Sequence, residues 1–214
     1  LNSFLKRLKK NGSKFSYRKI QNKSKKVYEA NITVFDALKK SDTDPNGKFF
    51  LERYIAAHAI MISFEGVPAI YFNSLFGKSN DEAKYVITGN NRDINRYKWN
   101  YENITKNLKD KNSKQSIFYQ NLGKLLEIKR KQKAFHPNAK RLNINLGSKL
   151  FCFKRTSLDK KQTIISITNC SSVDQYPKLN KKYSKWKNII NPKINSLNKS
   201  FKLKPFETMW LSNK

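Results

Sequence analysis

The apolar positions change their period along the chain, and each change marks a change of architecture. From Leu1 to about Lys40 the text is polar and basic, broken by Val27-Tyr28 and by the run ITVF at 32–35, whose β-branched and aromatic content predicts a short buried segment. Everything before Val27 reads as loop plus one basic helical piece. Asp44-Pro45 offers a helix cap followed by a first-turn proline. Phe50, Tyr54, Ala57 and Met61 then recur at helical spacing as far as Ile62. Leu51, Ile55 and Ile60 make this helix apolar on more than one face, so other protein must cover it. Gly66 is the expected stop.

Val67–Phe72 is a continuous apolar run of strand length, the pattern of a strand buried on both faces in a parallel sheet. Helix, glycine turn and buried strand make half of a βα repeat. The polar stretch Asn73–Lys114, holding TGNNRDINR at 88–96, reads as a long loop of the kind that carries function. Phe118, Leu122, Leu125 and Leu126 form one face of the next helix, which the breaker His136-Pro137 ends. Beyond Pro137 the period becomes alternating over 150–155, 163–168, 186–190 and 201–211, which predicts a small antiparallel β-domain. The expected organisation is α/β followed by all-β, with domains at 1–137 and 138–214 and no internal repeat.

Composition adds a tension. Forty-five Lys and Arg face fifteen Asp and Glu, a formal net charge of +30, while hydrophobic residues make up only 38%. That balance leans toward a polyanion binder or a partly disordered chain, but an aromatic content of 13% argues that most of the chain folds. The cations are mostly Lys, not the Arg that phosphate-reading surfaces favour. Lys, Asn and Ile all come from AT-rich codons, so a solvated lysine surface explains the charge as well as a nucleic-acid or membrane groove does. The basic start is not followed by the apolar core of a signal peptide, and no stretch reaches the ~18 apolar residues of a membrane span. Cys152 and Cys170 make neither a disulfide framework nor a zinc site and are expected reduced and buried. Leu rather than Met stands first, which points to a fragment, a processed chain or an unusual start.

Four phrases carry a resemblance: AHAIMISFEGVPAIYF at 57–72, NSLFGKSND at 73–81, NRDINR at 91–96 and AFHPNA at 134–139. In this order they resemble the carboxyl-terminal part of the sucrose phosphorylase group, which includes glucosylglycerate phosphorylases, within the α-amylase superfamily (glycoside hydrolase family 13). VYEANITVFDAL at 27–38 resembles that group's active-site loop. The resemblance implies the last part of a (β/α)8 TIM barrel, with its eighth strand and long eighth loop, followed by a small antiparallel β-domain. It implies a retaining double displacement in which an Asp attacks the anomeric carbon and a Glu serves as acid and base, phosphate replacing water as the second nucleophile. Those carboxylates belong upstream of this segment, so no catalytic residue is expected in the chain, and it needs the missing amino-terminal half of the barrel to function. Glu65, Glu52 and Asp36 offer no substitute pair. The implied partners are an α-glucoside and inorganic phosphate in the cytoplasm; neither a membrane nor nucleic acid is expected, and no metal or cofactor is implied.

Three residues carry over as binding residues. Arg92 matches the arginine that holds the glucosyl ring and phosphate, tasks its planar fork suits; the plainer alternative is an ion pair with Asp93. Tyr28 and Glu29 match the mobile loop, where TyrGlu is the commoner pair among glucosylglycerate and sugar-phosphate relatives; a packed aromatic and a solvated carboxylate are their plain alternatives. His58 reads as a core imidazole, His136 as a helix stop, Asn80 and Asp81 as cleft-mouth residues or an Asx turn, and Arg96 as structural. The rival class is a basic polyanion-binding module, supported by charge and interleaved aromatics such as Tyr183 and Trp186.

Overall fold

In the computed structural model, residues 2–19, 25–192 and 201–214 are described; the loop expected across 20–24 lies outside them. In chain order the elements are α1 (Asn2–Lys10), β1 (Lys14–Lys19), β2 (Lys25–Asn31), α2 (Val34–Lys39), α3 (Phe50–Ser63), α4 (Phe72–Leu75), α5 (Glu82–Thr88), α6 (Tyr101–Lys109), α7 (Lys114–Arg130), β3 (Arg141–Ile144), β4 (Leu150–Thr156), β5 (Thr163–Asn169), β6 (Lys187–Asn188) and β7 (Thr208–Ser212), with short 3-10 turns at Asn91–Asn95 and Lys133–Phe135 among others. They form two compact units, Leu1–Lys48 with Ile70–Gln120, and Phe49–Ala69 with Asn121–Lys214.

The first unit has a thin apolar core and compensates with polar stitching. Phe35 meets Phe118 at 5.7 Å between ring centroids, and Phe76 meets Trp99 at 5.8 Å and Tyr119 at 5.7 Å. Gly77 permits the closest approach: its φ is +58°, and a Cβ there would stand 2.7 Å from the Phe118 ring. The stretch 73–114, expected as loop, is mostly short helices. Asp81, Asn90 and Asn100 each cap one by accepting from a backbone N–H two or three residues on. α6 has a helical apolar spacing in Tyr101, Ile104 and Leu108, but α4, α5 and the 3-10 turn are too short to show a period, and for α5 and the turn the caps were the signal available. The hairpin β1–β2 is likewise unheralded, because its alternation is carried by Lys and Tyr instead of aliphatic residues. Asp44 starts no helix; its carboxylate accepts from the Lys48 N–H in a turn, and α3 begins at Phe50.

The second unit is built on an antiparallel sheet of order β3-β4-β5-β7-β6. Register places Cys152, Ile167 and Met209 in one row and Ile165 and Leu211 in the next, so these residues share a face with Leu203 and Phe201. The opposite face carries Phe153, Arg155, Ile164, Ser166 and Trp210, with the Phe135 ring 4.9 Å from Trp210 and α3 packed on β5 and β7. Strand β5 is buried on both faces. The expected strands at 150–155 and 163–168 are present, and those at 186–190 and 201–211 shorten to β6 and β7. Pro137 lies within this unit. Cys152 is buried, which pushes its thiol up to about 12. Cys170, expected buried, is exposed because β5 ends at Asn169.

Val67–Phe72 corrects the sequence reading. It forms no ladder with any described strand; Val67 is 80% exposed, Tyr71 55% and Phe72 54%. An apolar run becomes a strand only where a neighbour pairs with its backbone, and among the described residues none is adjacent.

Arg155, with 0% exposure, is the largest charged side chain in the interior. Its two terminal nitrogens donate to the Ser63 and His136 carbonyls, each at 2.7 Å. Desolvation lowers the guanidinium pKa and the nearby Glu65 opposes that shift, yet arginine stays charged. Arg155→Met leaves the buried Ser63 carbonyl without this donor, while the His136 carbonyl keeps the Ala139 N–H at 3.0 Å, so stability measured by urea unfolding should fall by about 2–4 kcal/mol. Arg155→Lys should recover only part of that loss, since one ammonium lacks the fork. His58 is buried, with Nδ1 2.9 Å from the Tyr54 carbonyl, and burial lowers its pKa from 6.5. The unfolded chain therefore takes the proton first: stability is full above 6.5 and declines as pH falls through that value toward the folded pKa. Unfolding curves between pH 7 and pH 5 should show a slope that His58→Gln reduces.

Candidate functional site

An open polar basin of about 680 Å3 lies in the first unit, lined by Ser16, Tyr28, Thr88, Gly89, Asn90, Asn91, Arg92 and Arg96. Two cations, a phenol and two carboxamides around one opening can hold an anion or a polyhydroxyl ligand. No general acid and base face each other there.

The backbone around Arg92 is fixed from several sides. Gly89 ends α5 with φ +64°, a left-handed geometry glycine adopts without strain, and its N–H donates to the Tyr85 carbonyl at 2.8 Å. The Asn90 side chain then accepts from Arg92 N at 3.1 Å, opening the 3-10 turn Asn91–Asn95. Ile94 is fully buried, and its carbonyl accepts from Asp81 N at 2.7 Å. Asn91 reaches across to the hairpin, donating to the Phe15 carbonyl at 3.1 Å and to Ser16 Oγ at 3.3 Å.

Residues distant in sequence meet at this point. Arg92 Nε donates to Glu29 Oε2 at 3.1 Å, and that bond and charge, with a smaller contribution from Tyr28, raise the guanidinium pKa. The partner is Glu29, not the neighbouring Asp93, which faces Lys84 at 3.8 Å. Tyr28 is 59% exposed at the basin. The hairpin register explains why Tyr28 reaches the basin while its neighbour Glu29 reaches Arg92. Ser16 pairs with Glu29 but Tyr17 pairs with Val27, so Tyr28 is the extra residue of a β-bulge. Arg18 and Lys26, directly opposed, lie on the Ser16 face of the pleat.

Other candidates are accounted for structurally. Asn80 accepts from Thr33 N at 2.9 Å, and Asp36 accepts from Asn80 N at 2.5 Å, so this pair braces the unit and does not line the basin. His58 is the satisfied core imidazole expected. Arg96, expected as structural, does line the basin. Ser16, Asn90 and Asn91 were missed; the only signal for Asn90 was its place before a turn.

No family model matches the chain. It is 28% identical over 204 residues to the glucosylglycerate phosphorylase of Escherichia coli strain K12, covering 95% of this chain and 35% of that protein. The chain is a homologue of the sugar phosphorylases. It is also 37% identical over 71 residues to the sucrose phosphorylase of Agrobacterium vitis, covering 33% of this chain and 13% of that one. Among solved structures, sucrose 6F-phosphate phosphorylase from Thermoanaerobacter thermosaccharolyticum superposes with a TM-score of 0.62 at 21% identity, over 79% of this chain and 31% of that one. The chain thus spans about a third of the length of these relatives. The fold is the expected one, that of the last part of a (β/α)8 barrel followed by an antiparallel β-domain.

Asn91→Ala cuts the bonds from the 3-10 turn to Phe15 and Ser16 and leaves the Arg92–Glu29 pair as a remaining side-chain bond to the hairpin. Stability should fall by about 1–2 kcal/mol, and hydrogen exchange should quicken at Phe15–Tyr17 and Arg92–Asn95 while β5 stays protected.

Proposed function

We propose that this chain is the phosphate- and sugar-binding portion of a retaining glucosyltransferase, which moves glucose from sucrose or a related α-glucoside to inorganic phosphate and yields glucose 1-phosphate. The observation that carries this reading is the convergence of Arg92 and Tyr28 on one polar basin, with Glu29 bonded to Arg92, in a homologue of sugar phosphorylases. A carboxylate outside these 214 residues attacks the anomeric carbon while a second gives its proton to the departing oxygen. Phosphate then attacks the glucosyl-enzyme, the second carboxylate takes a phosphate proton, and the anomeric configuration is retained. Those carboxylates come from an amino-terminal barrel portion, whose strands also pair with Val67–Tyr71.

In that cycle Arg92 orients the glucosyl ring and neutralises the incoming phosphate. Its exposed pair with Glu29 is weak enough to exchange for a ligand anion. Tyr28 covers the sugar, and Glu29 accepts from hydroxyls when Arg92 turns to phosphate. Phosphorolysis suits the cytoplasm, where phosphate is plentiful. Within this reading, glucosylglycerate is favoured over sucrose as donor: the glucosylglycerate phosphorylase match runs along nearly the whole chain, and Arg18, Lys26 and Arg96 add positive charge for a carboxylate.

The test is glucose 1-phosphate release from glucosylglycerate and from sucrose by a polypeptide joining this chain to the barrel segment that bears the two carboxylates. The 214-residue chain alone should release none. In the joined enzyme Arg92→Lys should lower kcat/KM by a factor of about 10–100, since the charge stays but the fork is lost. Unchanged kinetics for both phosphate and donor would assign Arg92 to the framework.

A further inference from the structure

The hairpin β1–β2 has a second face, and it serves a different cavity. Phe15, Tyr17 and Lys19 alternate along that side of β1, and Val27 and Lys25 oppose Tyr17 and Lys19 on β2. Helix α1 turns Asn2, Leu5, Lys6 and Lys9, spaced i, i+3, i+4 and i+7, toward the same groove of about 300 Å3. Leu5, Phe15 and Val27 give it an apolar floor, and Tyr17 is 56% exposed above them.

Lys6 and Lys9 line the groove on the helix side, and Lys19 and Lys25 continue the Tyr17 face of the pleat toward the hairpin end; all four lysines are exposed. None has an ion pair among the described residues. The carboxylates nearest in the fold are engaged elsewhere, Asp42 with Arg7 at 3.2 Å, Glu82 with Lys14 at 3.2 Å and Glu29 with Arg92. Directly opposed like charges such as Lys19 and Lys25 weaken a hairpin, so these lysines are a concentration of positive charge without an ion-pair partner among the described residues.

We infer that this groove binds single-stranded nucleic acid, with bases stacked on Tyr17 and Phe15 and phosphates along the four lysines. The aromatic floor calls for a ligand with flat apolar faces, and the concavity keeps it from a planar bilayer surface. Lysine ammonium groups are point charges without the fork that reads a base edge, so binding is indifferent to sequence. The groove lies on the opposite side of the pleat from the Arg92 basin and does not depend on the sugar reading.

Fluorescence anisotropy of a labelled oligothymidylate, titrated with the 214-residue chain at several salt concentrations, tests this. Tyr17→Ala should weaken binding about 10-fold, and Tyr17→Phe should keep it near the parent value. Lys6→Gln with Lys9→Gln should flatten the slope of log affinity against log salt by about 1.4, because two phosphate contacts are lost. Lys106→Gln with Lys109→Gln on α6 removes the same charge from exposed positions elsewhere and should leave the slope unchanged. All four lysines are exposed, so the two double variants remain decisive if Tyr17→Ala fails to fold. Absence of binding by the parent, equal flattening by both doubles, or equal competition by phosphatidylserine vesicles overturns the proposal.

Discussion

The second unit depends on one fully buried cation. Arg155 leaves β4 on the face toward α3 and ends that helix by binding the Ser63 carbonyl, while its other terminal nitrogen holds the His136 carbonyl just before Pro137. A backbone bond from Gly66 N to the Pro137 carbonyl, 3.0 Å, runs alongside. Three segments distant in sequence are thereby fixed at one point. A hydrophobic contact could fill that space but could not select the two carbonyls, and selection decides where α3 stops and where the chain enters the sheet. The cost is visible, because among the described residues Arg155 Nε has no hydrogen-bond partner.

The first unit reaches definition by a different route. Its composition is rich in Asn, Lys and Ser, and carboxamides and carboxylates replace much of the apolar contact. Asn73 donates to the Asn95 and Tyr97 carbonyls at 3.2 Å each and accepts from Trp99 Nε1 at 2.7 Å. Asn80, Asn90, Asn91, Asp36 and Asp81 do similar work around the basin. Such bonds are directional and each is worth little net, so the basin is accurately shaped while its surroundings are shallow in energy.

That contrast explains what was legible in the sequence. The β-domain could be read because aliphatic alternation at 150–155 and 163–168 is driven by burial, the strongest pattern a sequence carries. Arg92, Tyr28 and Glu29 emerged only through resemblance, since nothing local links residue 29 to residue 92. The shortest helices between 73 and 114 were invisible because a cap such as Asn90 has no period. Val67–Phe72 was read correctly as apolar but forms no strand among the described residues: hydrophobicity records what a segment is suited to bury, not whether a backbone lies beside it to pair.

The bulge at Tyr28 adds one side chain to the hairpin. Two residues of β2 stand against Ser16, so the strand's alternation slips by one step between Glu29 and Val27, while β1 keeps its own count. Side chains beyond the slip are in antiphase with those before it. The slip and the extra residue are the same size, so loss of Tyr28 would join Glu29 to Val27 in an unbroken ladder, with Val27 still against Tyr17 and Lys26 still against Arg18. A frame-preserving deletion there would take one phenol from the basin and leave both faces otherwise stocked as they are, so evolution can gain or lose that side chain without disturbing the opposite surface.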